Sequence, residues 1–429
     1  MKTRIYNAKI ITMVKGTGIL EGEVHIKDGR ISFAGTKEEA GQIKDTPVWD
    51  REIDACGNII MPGFKDAHTH SAMTFLRSYA DDLPLKEWLY NRVFPMEAKL
   101  TEEDILWYSR LAILEYLTSG ITANFDMYMK NEANAKASEE AGFRTVLCGS
   151  INDFGGTVEE IEAEYKHFNN YGSLISYKLG FHAEYTTKRE ILEQMAALAE
   201  KYKAPVYTHN SETMEEVQGC IERYGMTPTE FLDSIGMFNY GGGGFHCVHM
   251  TDKDLNICKE KNIWVVTNPA SNLKLASGIA PVQKMLDMGI GLAIGTDGAA
   301  SNNCLDMFRE MFLTTALQKV SIPDASAADA SDILYMATSG GALAMGLKDC
   351  DTIEEGKCAD LIMLDLHQPN MQPLNNIAKN IVYSGSKQNV KMTMVAGKIL
   401  YEDGKFNIGT DAEEIYAQAN ERIERMKRQ

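Results

Sequence analysis

Short apolar segments alternate with helical patterns through the whole middle of the chain, and this alternation limits the possible folds. Eight of the segments are predicted to be strands, at about 59–66, 121–127, 144–150, 177–185, 205–212, 244–250, 262–269 and 290–298. Helical periodicity fills most of the gaps, as in 102–120 and 189–204. Alternating strands and helices favour a parallel sheet, and eight repeats favour a closed (β/α)8 barrel of the TIM type. An open doubly wound sheet is the alternative, but no G-x-G-x-x-G follows a strand.

Two hairpin patterns flank this middle region. EVHIKDGRISFAG turns at Asp28-Gly29, and VKMTMVAGKILYEDGKFN turns at Asp403-Gly404. Because chain termini often lie close together, we expect both segments to join one small composite β-sandwich domain. The expected division is therefore 1–57 for the N-terminal part of the β domain, 58–350 for the barrel, and 351–429 for the rest of the β domain with a terminal helix.

Composition indicates the kind of partner and compartment. The 43 basic and 60 acidic side chains give a net charge of −17. This charge repels polyanions, so we expect neither nucleic acid nor an anionic membrane as a partner, whereas a small nucleoside is compatible with it. We also expect no membrane span, no export signal and, because the eight cysteines form no Cys-x-x-Cys pair, a cytoplasmic location. A barrel of 47.7 kDa is expected to form a homo-oligomer.

The first predicted barrel strand ends in two histidines, in the sequence MPGFKDAHTH. Side chains at i and i+2 of a strand point to the same face, so His68 and His70 project together. At the carboxyl end of a barrel strand they lie at the mouth, where such folds keep their active sites. Taken alone, the pair is a weak signal, because surface or capping histidines also occur in this pattern.

Further polar residues fall at the ends of other predicted strands, namely His182, His209, His246 and Asp297. Their shared position predicts one metal-centred site. Three imidazoles and one carboxylate, from His68, His70, His209 and Asp297, suit Zn²⁺, Fe²⁺ or Mn²⁺. A divalent cation held there lowers the pKa of water to about 7, and Asp297 can accept the proton.

Two more residues near these strand ends can move protons. Glu212 follows His209 and is a candidate proton shuttle, with an acidic helix-start residue as the alternative. His246 can orient the attacking water or donate a hydrogen bond to the intermediate. His249 and Cys247 are expected to be packing residues.

Several blocks of this sequence resemble the amidohydrolase superfamily. They are PGFKDAHTH, the fifth-strand His209 with Glu212, His246, and GTDGAASNN around Asp297. More narrowly, HTHSAMTFLRSYADDLPLKEWLYNRVFPMEAKLT and NPASNLKLASGIAPVQKMLDMGI resemble the methylthioadenosine/S-adenosylhomocysteine deaminases, to which the triazine hydrolases are related. The resemblance covers nearly the whole chain, and the termini match the composite β domain of that family.

The resemblance implies hydrolytic deamination of 5′-substituted adenosines. Methylthioadenosine, 5′-deoxyadenosine, S-adenosylhomocysteine and adenosine are the expected substrates, and the products are the inosine analogue and ammonia. Glu212 is expected to protonate the ring nitrogen N1, while Asp297 and His246 take up the proton of the water and stabilise the intermediate. Relatives with two metals often carry a modified lysine at the end of the fourth strand. Because His182 stands there in this chain, one metal is expected, most readily zinc.

The same resemblance implies substrate contacts. Glu97, in FPMEAKL, stands where the family has a glutamate that binds both ribose hydroxyls, and His182 is expected to contact the sugar or the ring. Trp88 is a candidate for the pocket wall, although a core tryptophan is an equal alternative. Ser301 and Asn268 are weaker candidates for polar contacts.

One block departs from the family. Relatives carry arginines after the third strand that bind the homocysteine carboxylate, whereas this chain reads VLCGSINDFGG, with Gly149 at the first such position. We therefore expect a nucleoside with a small or neutral 5′ group. The rival hypotheses are an aminohydrolase or chlorohydrolase of a guanine, pterin or triazine type of heterocycle, and a catalytically silent binding protein.

Overall fold

The computed structural model describes residues 1–43 and 48–429, without the side chains of Leu85 and Lys86. The strands before the barrel are β1 (Lys2–Ile10), β2 (Leu20–Lys27), β3 (Arg30–Thr36), β4 (Arg51–Asp54) and β5 (Ile59–Pro62). The barrel strands are β6 (Phe64–Thr69), β7 (Ile121–Met127), β8 (Arg144–Cys148), β9 (Ile175–Ala183), β10 (Val206–Asn210), β11 (Gly242–His246), β12 (Ile263–Thr267) and β13 (Leu292–Ile294). Four strands follow, β14 (Leu361–Leu364), β15 (Val390–Val395), β16 (Lys398–Glu402) and β17 (Lys405–Phe406).

The helices lie mainly between the barrel strands. Up to β11 they are α1 (Lys37–Ala40), α2 (Leu85–Trp88), α3 (Phe94–Glu97), α4 (Glu102–Thr118), α5 (Asn131–Ala141), α6 (Val158–Phe168), α7 (Arg189–Tyr202), α8 (Met214–Tyr224) and α9 (Pro228–Ser234). After β11 they are α10 (Asp252–Glu260), α11 (Pro269–Lys274), α12 (Val282–Met288), α13 (Met307–Ser321), α14 (Ala330–Tyr335), α15 (Gly341–Ala344), α16 (Ile377–Tyr383) and α17 (Ala412–Arg428). Shorter 3-10 and π segments occupy Ser71–Leu76, Leu89–Val93, Glu184–Thr186, Met336–Gly340, Pro369–Met371 and Lys387–Asn389.

The strands β6 to β13 pair in chain order, and every pair is parallel. The barrel closes where the Asp297 backbone N–H donates to the His68 carbonyl at 2.9 Å. The predicted eight-stranded barrel is therefore confirmed. No helix of the described chain has the length and apolar character needed to cross a bilayer.

The sequence fixes the start of several barrel helices through capping. Thr101 accepts a hydrogen bond from the Asp104 backbone N–H, and the Asp104 carboxylate accepts one from the Thr101 backbone N–H. This reciprocal capping box satisfies backbone donors that the first turn of α4 would otherwise leave unpaired. Thr157, Thr227 and Thr251 cap α6, α9 and α10 in the same way.

Both chain ends join one nine-stranded mixed sheet, in the order β17-β16-β15-β14-β5-β1-β2-β3, with β4 paired to β1. The expectation that the terminal segments form one β unit is therefore confirmed. The predicted single strand 59–66 is wrong, because its first half, β5, pairs with β1 and β14 of this sheet. The chain passes from the sheet to the barrel at Gly63, where an added Cβ would lie 2.1 Å from the Thr122 side chain.

Most of the glycine run Gly241–Gly244 lies within β11. An added Cβ at Gly242 would lie 2.0 Å from the Val206 carbonyl oxygen, and one at Gly243 would lie 2.5 Å from the Tyr207 ring. Crowding by the neighbouring strand therefore explains why this strand is built from glycine.

A buried ion pair connects the barrel to the terminal sheet. Arg144, at the start of β8, donates to both carboxylate oxygens of Asp360 at 2.7 and 3.1 Å. Asp360 also accepts the Ala396 backbone N–H at 2.7 Å, and its own carbonyl accepts from Gly63. The Arg144 guanidinium holds the pKa of the Asp360 carboxyl below its ordinary value, although burial alone would raise it.

We expect Asp360→Ala to destabilise the protein by about 3 to 5 kcal/mol, because the Arg144 charge would stay buried without a partner. Urea unfolding measures the loss. The control is Asp349→Ala, which removes the partner of exposed Arg30 and should cost less than about 1 kcal/mol. Equal losses in the two variants would contradict a structural role for the buried pair.

Candidate active site

The carboxyl ends of the barrel strands bring five of the predicted residues together. The ring centroids of His68 and His70 lie 4.8 Å apart, and His209 lies 4.9 Å from His68 and 5.5 Å from His246. Asp297 follows β13, and its Oδ1 lies 3.2 Å from His70 Nε2 and 3.6 Å from His68 Nε2. All five residues are buried or nearly so, which produces a compact cluster of imidazoles around one carboxylate.

Backbone carbonyls orient two of the imidazoles. His70 Nδ1 donates to the Met127 carbonyl, and His209 Nδ1 donates to the His182 carbonyl at 2.7 Å. A carbonyl can only accept, so the proton of each neutral ring is held on Nδ1 and Nε2 carries a lone pair. Such an arrangement prepares a histidine to bind a metal through Nε2.

His68 provides a test of whether these residues fit a cation. Its side chain is fully buried, and neither ring nitrogen has a hydrogen-bond partner among the described residues. One face of the ring stacks on Phe245, with centroids 3.8 Å apart. Burial lowers the pKa of His68 to about 3, so the ring is neutral. An unpaired buried imidazole beside a carboxylate is the arrangement that a divalent cation would satisfy.

Asp297 is held by two hydroxyl groups. Ser271 Oγ and Ser301 Oγ donate to its Oδ2 at 2.5 and 2.8 Å, so that Oδ1 is left facing His68 and His70. The backbone of Asp297 has φ +58°, a conformation that aims its side chain across the barrel mouth. Burial raises the pKa of Asp297, but contacts with His68 and His70 outweigh it and bring the pKa well below the ordinary value.

His70 shows the other half of this electrostatic balance. Burial lowers the pKa of His70, yet the Asp297 carboxylate outweighs burial and raises the pKa to about 9. The carboxylate therefore favours a positive charge at this place. A divalent cation there would supply that charge as the partner of Asp297.

The predicted proton carriers lie on one side of the cluster. Ser211 has φ +51°, and this turn after β10 brings Glu212 Oε2 to 4.0 Å from His246 Nε2. Ser277 Oγ donates to Glu212 Oε1 at 3.1 Å, and His246 Nδ1 lies 2.7 Å from Asn272 Oδ1. Each of the two groups is thus oriented by a neighbouring polar side chain.

Two overlapping groups of ligand atoms have the spacing of a metal site. The donor atoms of His68, His70 and Asp297 lie within 4.8 Å of one another, and so do those of His68, His209 and His246. The structure therefore brings the expected ligands together and leaves His246 close enough to be an additional one.

The predicted substrate-binding residues are more scattered. Glu97, at the end of α3, accepts a hydrogen bond from Tyr128 OH at 2.6 Å, and burial raises its pKa. His182 lies beside the cluster, with its ring centroid 4.8 Å from that of His209. Trp88 is buried in an apolar cluster of side chains, and Ser301 donates a hydrogen bond to Asp297. Their roles as substrate contacts stay predictions.

Sequence reasoning missed four residues that hold the candidate catalytic groups in place, namely Ser271, Asn272, Ser277 and Tyr128. Three of them lie in the NPASNLKLAS block, which follows β12. The position of that block after a barrel strand was a usable signal. Asn268, at its start, is buried, and its side-chain amide has no hydrogen-bond partner among the described residues.

Comparison with known proteins agrees with this geometry. A 5-methylthioadenosine/S-adenosylhomocysteine deaminase of Moorella thermoacetica is 41% identical over 419 residues, covering 96% of this chain and 97% of the relative. A 5′-deoxyadenosine deaminase of Methanopyrus kandleri is 38% identical over 96% of both chains. The crystal structure of an adenosine deaminase from Xanthomonas campestris, with bound zinc, superimposes with a TM-score of 0.94 at 32% identity, covering 100% of this chain and 99% of that one.

A family model adds the general classification. The model described as "Amidohydrolase family" matches residues 59–400, which include the barrel and every strand end that contributes to the cluster. With this match and relatives at about 40% identity along the whole length, the chain belongs to the amidohydrolase family.

Proposed function

We propose that the protein is a metal-dependent deaminase of 5′-substituted adenosines, which hydrolyses the amino group at C6 to give the inosine analogue and ammonia. The observation that carries the proposal is the buried imidazole of His68, which has no hydrogen-bond partner within the described part of the chain although its Nε2 lies 3.6 Å from Asp297 Oδ1. The names and near full-length similarity of the relatives support the substrate class.

We assign His68, His70, His209 and Asp297 as the ligands of one divalent cation, most readily zinc, with iron or manganese as alternatives. The family and the zinc-bound neighbour support a metal in this site. When bound, the cation supplies Lewis acidity, which lowers the pKa of water to about 7.

Glu212 is positioned to move a proton to the purine ring. Because Ser277 donates to Oε1, Oε2 is the oxygen free to give a proton to N1. The resulting Glu212 carboxylate then takes up the C6 hydroxyl proton of the intermediate and passes it to the departing amine, and the proton that Asp297 takes from water afterwards restores the acid form of Glu212. Asp297 takes the proton of the attacking water on Oδ1, because Ser271 and Ser301 both donate to Oδ2. His246 donates from Nδ1 to Asn272 Oδ1, so its Nε2, which faces Glu212, carries a lone pair and accepts a hydrogen bond from the hydroxyl group of the tetrahedral intermediate.

Glu97 is the proposed ribose contact. Tyr128 donates to its Oε1, which leaves Oε2 and the remaining lone pairs for the 2′ and 3′ hydroxyls. His182 is proposed to contact the sugar or the ring, and Trp88 and Ser301 complete the predicted pocket. A substrate without a diol, such as guanine, a pterin or a triazine, would have no use for Glu97. Whether activity depends on the Glu97 carboxylate therefore distinguishes a nucleoside substrate from the heterocycle alternative.

The 5′ group is proposed to be small or neutral. At Gly149 an added Cβ would lie 2.6 Å from the Gly180 carbonyl oxygen, so a side chain there is excluded. Further along the same segment, Phe154 is 70% exposed and contacts the ring of Phe94, which lies one turn before Glu97. An apolar rim favours 5′-deoxy or 5′-methylthio groups over a carboxylate that would lack a partner.

Ammonia release from a substrate panel tests this proposal. The panel contains adenosine, 5′-deoxyadenosine, methylthioadenosine, S-adenosylhomocysteine, adenine and guanine, and the enzyme is reconstituted with zinc, iron or manganese. We expect turnover of the 5′-substituted adenosines, with S-adenosylhomocysteine the poorest of them, and no turnover of free bases. Turnover restricted to bases would contradict the nucleoside assignment.

We expect Glu97→Gln to lower kcat/KM for 5′-deoxyadenosine by about 100-fold, because a charged acceptor for two hydroxyls is lost. The 2′-deoxy analogue should lose much less, since half of the contact is already missing. Glu102→Gln, an exposed change at the start of α4, serves as the matched control. A uniform loss over both nucleosides would argue against contact between Glu97 and the ribose.

We expect His68→Ala to lower bound zinc by more than about tenfold, because one ligand is lost from a four-residue site. Metal content by plasma mass spectrometry and folding by circular dichroism are measured on the same sample. His167→Ala, on the exposed face of α6, should keep its zinc. A folded His68→Ala protein with full zinc would remove His68 from the ligand set without deciding the substrate.

A further inference from the structure

Helix α13, which follows the site loop after β13, is apolar on two opposite faces. Its inner face buries Met307, Phe308 and Met311 against the barrel, together with polar residues that bind backbone groups. Its outer face carries Phe312, Leu313, Ala316 and Val320, none of which is buried. A surface helix normally has charged or polar residues on that side.

We call the outward line formed by Arg309, Phe312, Leu313, Ala316 and Val320 the α13 stripe. Phe312 is 47% and Val320 is 77% exposed, and Ile322, just beyond the helix, is 45% exposed. Scattered apolar residues on a surface are ordinary, but a line of them along more than two turns of one helix marks an interaction surface.

We propose that a second copy of this chain covers the α13 stripe, with the two α13 helices antiparallel about a two-fold axis at Ala316. The order of side chains supports this occupant. Ala316 is the small residue at the centre, and Phe312 and Val320 lie one turn to either side of it. A two-fold axis therefore places Phe312 opposite Val320 of the partner subunit, so that a large ring meets a smaller side chain on both sides. An isologous contact needs this kind of self-complementarity.

Charges at the ends of the stripe support the same register. Arg309 lies two turns before Ala316 and, among the residues described, makes no ion pair. Asp324 lies three residues beyond the end of α13, is exposed, and among the described residues its carboxylate accepts only from Ser326. The antiparallel arrangement brings Arg309 next to Asp324 of the partner subunit, and the reverse pair forms by symmetry. A single surface thus supplies both the base and the acid that the contact needs.

The residues at the edge of the stripe extend the apolar area. Lys319 Nζ donates to the Ala325 and Ala327 carbonyls, and the ammonium lies 6.0 Å from the centroid of the exposed Tyr383 ring. Its charge is satisfied within its own chain, which leaves its aliphatic stem available for packing. A stable interface needs about 800 Å² from each partner, so Tyr383 and Ile322 are needed beside the stripe.

Analytical ultracentrifugation of the full-length protein at micromolar concentration tests the proposal. We expect wild type to sediment as a dimer of 47.7 kDa chains and Ala316→Glu to sediment as a monomer, because two carboxylates would face each other at the axis. Ile221→Glu, an equally apolar to acidic change at an exposed position on α8, should remain a dimer. A monomeric wild type, or an Ala316→Glu protein that still dimerises, would overturn the proposal.

A charge exchange tests the register independently of the axis residue. Arg309→Asp and Asp324→Arg should each raise the dimer dissociation constant at least about tenfold, and the double variant should recover most of it. Thermal unfolding shows whether each variant is folded. Single variants that weaken the dimer with no recovery in the double variant would contradict the antiparallel pairing. The readout is oligomeric mass, so the result is independent of the proposed deaminase activity.

Discussion

The seam between β6 and the segment after β13 is the contact on which the rest of the site depends. The Asp297 backbone N–H donates to the His68 carbonyl at 2.9 Å, and Thr69 Oγ1 donates to the Asp297 carbonyl at 3.0 Å. Beside them, Asp66 accepts both the backbone N–H and the hydroxyl of Thr296, at 2.8 and 2.6 Å. The same hydrogen bonds that close the barrel therefore set the distance between the first-strand histidines and the carboxylate of Asp297. A change that loosened the seam would alter both the fold and the geometry of the candidate metal centre.

Carbonyl and hydroxyl groups around this seam set the orientation of the polar side chains in the cluster. His182 has two separate parts in this arrangement: its carbonyl oxygen accepts from His209 Nδ1, while its ring lies beside the cluster with Nδ1 2.8 Å from Thr186 Oγ1. Substitution of the His182 side chain can therefore change the pocket without removing the group that orients His209. Asp297 is controlled in a similar way, since two serines hold one carboxylate oxygen and leave the other for the histidines.

Much of the fold and the identity of the site residues could be predicted because strand geometry is regular. A period of two puts His68 and His70 on one face, and parallel barrel strands bring all their carboxyl ends to one mouth. The sequence could not assign Ile59–Pro62 to the terminal sheet, because an apolar segment is buried equally well in either sheet. Nor could it find that Ser277 binds Glu212, since that contact depends on the path of a loop far along the chain. Periodicity describes which face a residue takes within an element, and it carries no information on contacts between loops.

The proposed role of Glu97 would connect such contacts to substrate preference. Burial raises its pKa, and Tyr128 is the one side-chain donor that its carboxylate has among the described residues. An ionised carboxylate in this position therefore lacks much of the hydrogen bonding that water would provide. Two adjacent hydroxyls on a substrate would restore that bonding, whereas a flat heterocycle without a sugar would displace water and restore nothing. If Glu97 binds the ribose as proposed, the cost of leaving it unsatisfied would discriminate against free bases even where the metal-centred chemistry would act on them equally well.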